Sequence, residues 1–101
     1  MNNIIYHITT NEQWQLALQQ NFYEAESVAT EGFMHCSTGQ QVSGVLHRYF
    51  KDKAGLVKLT IDTTKLLSGL QYDYSPSVNE LFPHIYGRLN LDAVLHVEAL
   101  Q

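Results

Sequence analysis

The 101-residue chain sets six Lys plus Arg against ten Asp plus Glu, a net charge of −4 with no basic run, which argues against long-range attraction to nucleic acid or to an anionic membrane while leaving room for a local small-anion site. Hydrophobic residues at 45% and charged residues at 16% set it apart from disordered chains, and the length fits one domain over residues 1–101 with a single core. A lone cysteine, Cys36, excludes an internal disulfide framework and a multi-cysteine zinc site; with no signal-peptide pattern in MNNIIYHITT and no apolar stretch of membrane-spanning length, the expected location is the cytoplasm.

From Asn3 to Thr9 the residues alternate, Ile4, Tyr6 and Ile8 on one face and Ile5, His7 and Thr9 on the other, which predicts a first strand. Thr10 is the expected N-cap of a helix running to about Gln20, with Gln13 at capping-box spacing and Trp14, Ala17 and Leu18 as its apolar stripe. Ser27 is read as the cap of a short turn that Gly32 ends, and Phe33 to Cys36 as a second strand. Thr38 and Gln41 form a second capping box, followed by Val42, Val45, Leu46, Tyr49 and Phe50 at the spacing of an amphipathic helix.

KDKAG reads as a turn and residues 56 to 62, LVKLTID, as a strand whose Val57, Leu59 and Ile61 face the core. A helical turn through Leu67, a strand at LQYDY, an ordered loop over SPSVNELFPHIYG and a closing strand over residues 93 to 100 complete the reading. Strands and helices mix without regular βαβ repetition, so the predicted class is α+β: a mixed, mainly antiparallel sheet with two main helices.

Five histidines are many for this length, and His7, His35 and His84 lie in polar-aromatic contexts, YHITT, FMHCST and FPHIYG. Each alone reads as a partly buried His bonded to backbone; three together favour a shared site, while His47 and His96 read as surface residues. No HExxH or HxH spacing accompanies them, so no metal is expected. Cys36 and His35 point to opposite faces of a strand, which separates the thiol from the adjacent imidazole and makes Cys36 a structural thiol. Ser37 and Thr38 stand where a strand meets a helix N-terminus, a place that suits an anion or a plain cap. Pro83 stiffens the loop that carries His84 and Tyr86 while Gly87 permits a sharp exit from it, and Glu31 and Glu80 precede the second and third of these motifs.

The segments IYHITT with Trp14 shortly after, EGFMHCSTGQQ and LFPHIYGRLNLDAV together resemble the domain of unknown function 952 family of small bacterial and plant proteins, over nearly the whole chain. That family is similar in fold to the ADP-ribosyltransferases, whose split sheet holds NAD in a cleft. There, a first-strand His in a YHG[TS]-like motif contacts the adenosine ribose, an aromatic ring stacks on nicotinamide and a glutamate holds the nicotinamide ribose. The resemblance implies these roles for His7 with Thr9, for Tyr86 or Tyr72, and for Glu80, which stands in for a strand-borne glutamate the sequence does not present. GFMHCST also resembles a His-x-Ser-like strand of the RNA 2′-phosphotransferase branch, at His35 and Ser37, and Ile8 replaces the Gly of the first motif.

The resulting expectation is an NAD- or ADP-ribose-recognising protein, an ADP-ribosyltransferase acting on an unidentified acceptor, with His7 and Glu80 catalytic and His7, Thr9, His35, Ser37, Thr38, His84 and Tyr86 contacting the nucleotide. The alternative is a non-catalytic module that binds a small anion or a peptide in the same cleft.

Overall fold

The first strand, β1 (Ile4–Thr10), buries Ile5, His7, Ile8 and Thr9. The structure is a computed structural model and describes residues 3–100, so residues 1, 2 and 101 of the expected domain lie outside the described residues. Thr10 remains extended, and its hydroxyl accepts the Gln13 N–H at 3.1 Å, so the predicted cap opens α1 (Asn11–Gln20). That helix packs Trp14 and Ala17 inward and ends at Asn21, whose φ of 69° is the left-handed turn Asn tolerates.

After β2 (Phe22–Tyr23) comes α2 (Glu26–Glu31), whose N-cap is Ala25, with no side-chain capping bond, instead of Ser27; Gly32 closes it at φ 92° as expected. β3 (Met34–His35) is shorter than predicted. The capping pair Thr38 and Gln41 is present in part: the Gln41 amide oxygen accepts the Thr38 N–H at 3.0 Å. The helix itself, α3 (Val42–Tyr49), begins only after a turn at residues 39–41, and none of its residues is fully buried.

β4 (Leu56–Asp62), β5 (Gly69–Ser75), β6 (Glu80–Tyr86), β7 (Leu89–Asn90) and β8 (Val94–Ala99) follow. Three sheets result, ordered β1-β4-β8, β2-β7 and β3-β6-β5, and every strand pair among the described residues is antiparallel. The fold is thus α+β and antiparallel in the main as predicted, but no parallel pair makes the sheet mixed, the strands form three sheets instead of one, and three α-helices stand among the described residues where two main ones were expected.

Core side chains come from the facing surfaces of these sheets: Ile5 and Ile61 are register partners, Leu59 lies opposite His7, and Met34 lies opposite Ile85. Complete burial of each such aliphatic chain contributes roughly 1.5–3 kcal/mol. Ser37 and Tyr6 exchange both backbone bonds, at 2.8 and 2.7 Å, and this bridge holds the β3 end of one sheet against β1 of another.

The segment ELFPHIY, expected to be part of a loop, is a full strand in the middle of its sheet. Proline inside a strand lacks a donor and demotes the segment on sequence grounds. Here the Pro83 carbonyl accepts the Cys36 N–H at 3.0 Å, but the reciprocal bond cannot form. The β3–β6 ladder stops at that residue, and the chain leaves at Ser37 to pair with Tyr6.

Candidate functional site

A cavity of about 580 Å³ lies between β1, the β3–β6 pair, α3 and the turn after β5; its wall includes His7, His35, Ser37 and His84, with Glu31 as its carboxylate. The size is that of a small-molecule site. Tyr49, Phe50, Tyr74 and Phe82 supply an aromatic wall, and among the described residues no Lys or Arg lines it. Val45, Tyr49 and Phe50 belong to the apolar stripe predicted for the third helix, which explains why α3 is only half-buried: part of that stripe faces the cavity.

The three histidines occupy it in different ways. His7 is buried, with Nδ1 2.5 Å from the His35 carbonyl and Nε2 2.8 Å from the Tyr23 hydroxyl. A carbonyl only accepts, so Nδ1 carries the proton; burial pushes the pKa down to about 4 and keeps the ring neutral, leaving Nε2 to accept from Tyr23. Thr9 Oγ1, 2.9 Å from the same Tyr23 oxygen, completes the chain of hydroxyls, and burial raises the Tyr23 pKa. His7 therefore has neither nitrogen free for a ligand. It is a strut that sets the height of β3 against β1.

His35 stands on the opposite side of its strand from Cys36, as predicted: the imidazole is more than half exposed, whereas the thiol is buried and its pKa is pushed up by that burial. His35 Nε2 lies 3.2 Å from Glu31 Oε2 at the cavity rim. His84 is its register partner in β6, with ring centroids 5.1 Å apart, edge to face. Phe33 stacks on the His84 ring at 4.1 Å and an interplanar angle of 17°.

His84 also carries the feature that the sequence left unmarked. Its Nδ1 lies 2.7 Å from Asp73 Oδ2, on the neighbouring strand β5. Asp73 accepts in addition from the Tyr86 hydroxyl and the Gln71 amide, and these bonds, Tyr86 first, then Gln71, then His84, hold its carboxyl down at about 2. The same bond raises the pKa of Tyr86. The carboxylate is thus ionised at neutral pH and can only accept, so His84 donates from Nδ1 to it.

The remaining predicted residues lie elsewhere. Thr9 is buried against Tyr23, Thr38 is tied to Gln41, and Tyr72 and Tyr86 are exposed; none of the four lines the cavity. Glu80 sits at the exposed start of β6, where Gln41 Nε2 donates to it at 3.1 Å, and it too is outside the wall. Sequence reasoning missed Asp73 and Tyr23 as partners of histidines; the one signal for Asp73 was the alternation in LQYDY, which places Gln71 and Asp73 on one face. His47 and His96 are exposed, as predicted.

A small antiparallel α+β domain with a histidine-lined cavity is the class that this fold and site define. The model of the DUF952 family, described as proteins of unknown function, matches residues 8–97, and the chain belongs to that family. Among solved structures, it is similar to protein CC0527 from Caulobacter crescentus: the crystal structure is 28% identical, covers 97% of this chain and 86% of its own, and superposes with a TM-score of 0.88. The solution structure of the same protein is 28% identical, covers 99% and 86%, and gives 0.84. No curated protein matches the chain. Among the described residues no helix is long and apolar enough to cross a membrane.

Proposed function

We propose that the fold is a compact relative of the ADP-ribosyltransferases and that the cavity recognises NAD or ADP-ribose. The supporting observation is convergence: His7, His35, Ser37 and His84, drawn from the three motifs that carry the resemblance, meet at one cavity with aromatic walls. A planar base stacks against Phe82 or the Tyr49–Phe50 wall, and ribose hydroxyls reach His35 and Ser37. With no Lys or Arg in the lining, the diphosphate stays at the solvent-exposed mouth and the affinity is modest.

His7 supports β3 in this reading without touching the ribose, and Glu31 takes the role that the resemblance gave to Glu80. Cleaving the nicotinamide glycosidic bond develops positive charge on the ribose, and Glu31 is the carboxylate in the wall that can meet it. Calorimetry with NAD and with ADP-ribose tests the reading: millimolar or tighter binding, weakened about tenfold in His35→Ala, is expected, and absence of heat for both nucleotides at millimolar concentration refutes it.

A second reading, a binding module without turnover, is favoured by the exposure of Glu31, half of whose side chain is solvated at the rim. NAD binding with no nicotinamide release would establish it. Steady release that Glu31→Gln abolishes would remove it.

A further inference from the structure

We infer that His84, backed by Asp73, is the proton acceptor at this cavity and that the acceptor substrate is a group that arrives still carrying its proton, such as water or a sugar hydroxyl, and not a carboxylate or phosphate; this rests on the nucleotide reading above.

The geometry is that of an oriented base. Asp73 accepts from Gln71 at Oδ1 and from Tyr86 at Oδ2 as well as from His84, and these bonds favour the rotamer that turns Oδ2 to the ring. Phe33 holds the ring plane by stacking at 4.1 Å. The Nδ1 proton points to the carboxylate, which leaves Nε2 as the working end of the ring. Nε2 has no protein partner among the described residues, and none of their buried side-chain nitrogens or oxygens lacks one, so Nε2 is reached by solvent. The ring as a whole is only 9% exposed, and the cavity is the space it borders.

Such a base selects among acceptors. A carboxylate or phosphate acceptor arrives already deprotonated and has no proton to give. A hydroxyl is a weak nucleophile until a base takes its proton during attack. In the step, the acceptor O–H proton passes to His84 Nε2 and the acceptor oxygen bonds to ribose C1′. The C1′–N bond breaks, and its electron pair neutralises the pyridinium so that nicotinamide leaves uncharged. Asp73 is a positioning residue: it touches His84 alone of the reacting groups and stabilises the imidazolium.

The test couples NAD calorimetry to nicotinamide release from NAD, in water and with methanol as the competing nucleophile. Wild-type protein is expected to bind NAD, release nicotinamide and form a methyl riboside. His84→Gln should still bind NAD measurably in calorimetry and lose release by about 100-fold or more, the contribution ordinary for a general base. Free imidazole should restore release to His84→Ala, whose fold is checked by its melting curve. Asp73→Asn should lower kcat about tenfold or more with KM little changed, move the His84 proton to Nε2 in ring-nitrogen NMR shifts, and be partly rescued in Asp73→Glu. Failure of NAD to bind wild-type protein overturns the nucleotide reading and the dyad with it. Binding without release, or release that survives His84→Gln, overturns the dyad alone.

Discussion

His7 donates from Nδ1 to the backbone carbonyl of His35, 28 residues further along, and so one motif histidine positions another. Next to it the Tyr6–Ser37 backbone bridge makes the same connection between β1 and the chain after β3. The consequence is a division of labour. His7 and Tyr23 form a buried frame, His35 and Glu31 form a solvated rim, and His84 lines the cavity with Asp73 bonded behind it.

The frame predicts how stability depends on pH. The His7 pKa falls from 6.5 to about 4 on folding, so the unfolded chain takes up the proton first. Its contribution is complete above pH 6.5 and is lost as pH falls from 6.5 towards 4, by up to about 3 kcal/mol. Asp73 acts in a separate window, because its depressed carboxyl contributes above pH 3.8 and loses that contribution only as pH falls towards about 2. Urea midpoints at pH 7.5 and 4.5 should differ clearly in wild-type protein and much less in His7→Gln. A wild-type midpoint that does not move between these values would contradict a neutral buried His7.

Cys36 should behave as a core atom. It borders the cavity but is only 3% exposed, and burial raises its pKa, so both access and thiolate are denied to a reagent. Modification by an aromatic disulfide reagent at pH 8 should proceed at the rate of unfolding and accelerate with urea in step with it. Immediate stoichiometric labelling of folded protein would refute this placement.

How far the chain could be read in advance depended on how local the cause was. β1, α1 and β4 were legible because alternation, the Thr10 cap and the Val57, Leu59, Ile61 face are all written within one element. β6 was not, because Pro83 removes a donor, and only the short partner β3 shows that this bond is not needed. The same limit governs the site. His7, His35, Ser37 and His84 could be picked from motifs, but Asp73 reaches His84 through the β5–β6 register, in which Gln71 is the direct partner and Asp73 the diagonal one. Glu80 was preferred to Glu31 on position in the sequence, and the fold puts Glu31 at the wall.

Gly87 gives a prediction about the exit from β6. It sits at φ 144°, and an added Cβ would lie 2.7 Å from the Ser68 hydroxyl oxygen, which donates to the Arg88 carbonyl. Gly87→Ala therefore meets both a backbone conformation that L side chains rarely adopt and a steric clash. A loss of about 1–3 kcal/mol is expected. In a domain of this size each kcal/mol lowers Tm by about 4–8 °C. Calorimetric scans would show it, and an unchanged Tm would mean that the turn relaxes freely. Gly32→Ala, at φ 92° with no atom near the added Cβ, should cost less, since only the backbone term remains.

The aromatic wall can be separated from the histidines by substitution. Phe82 lines the cavity from β6, two residues before His84, and is half-buried there. Phe82→Ala removes a stacking face and keeps both partners of the Asp73–His84 bond, although Phe82 is the register partner of Asp73. If a planar base lies against it, NAD affinity should fall about 5- to 30-fold, the equivalent of 1–2 kcal/mol for a lost stack. Binding of ribose 5-phosphate, which has no base, should stay the same in that variant. Equal losses for both ligands would show that Phe82 shapes the cavity as a whole, and no loss for NAD would place the base elsewhere.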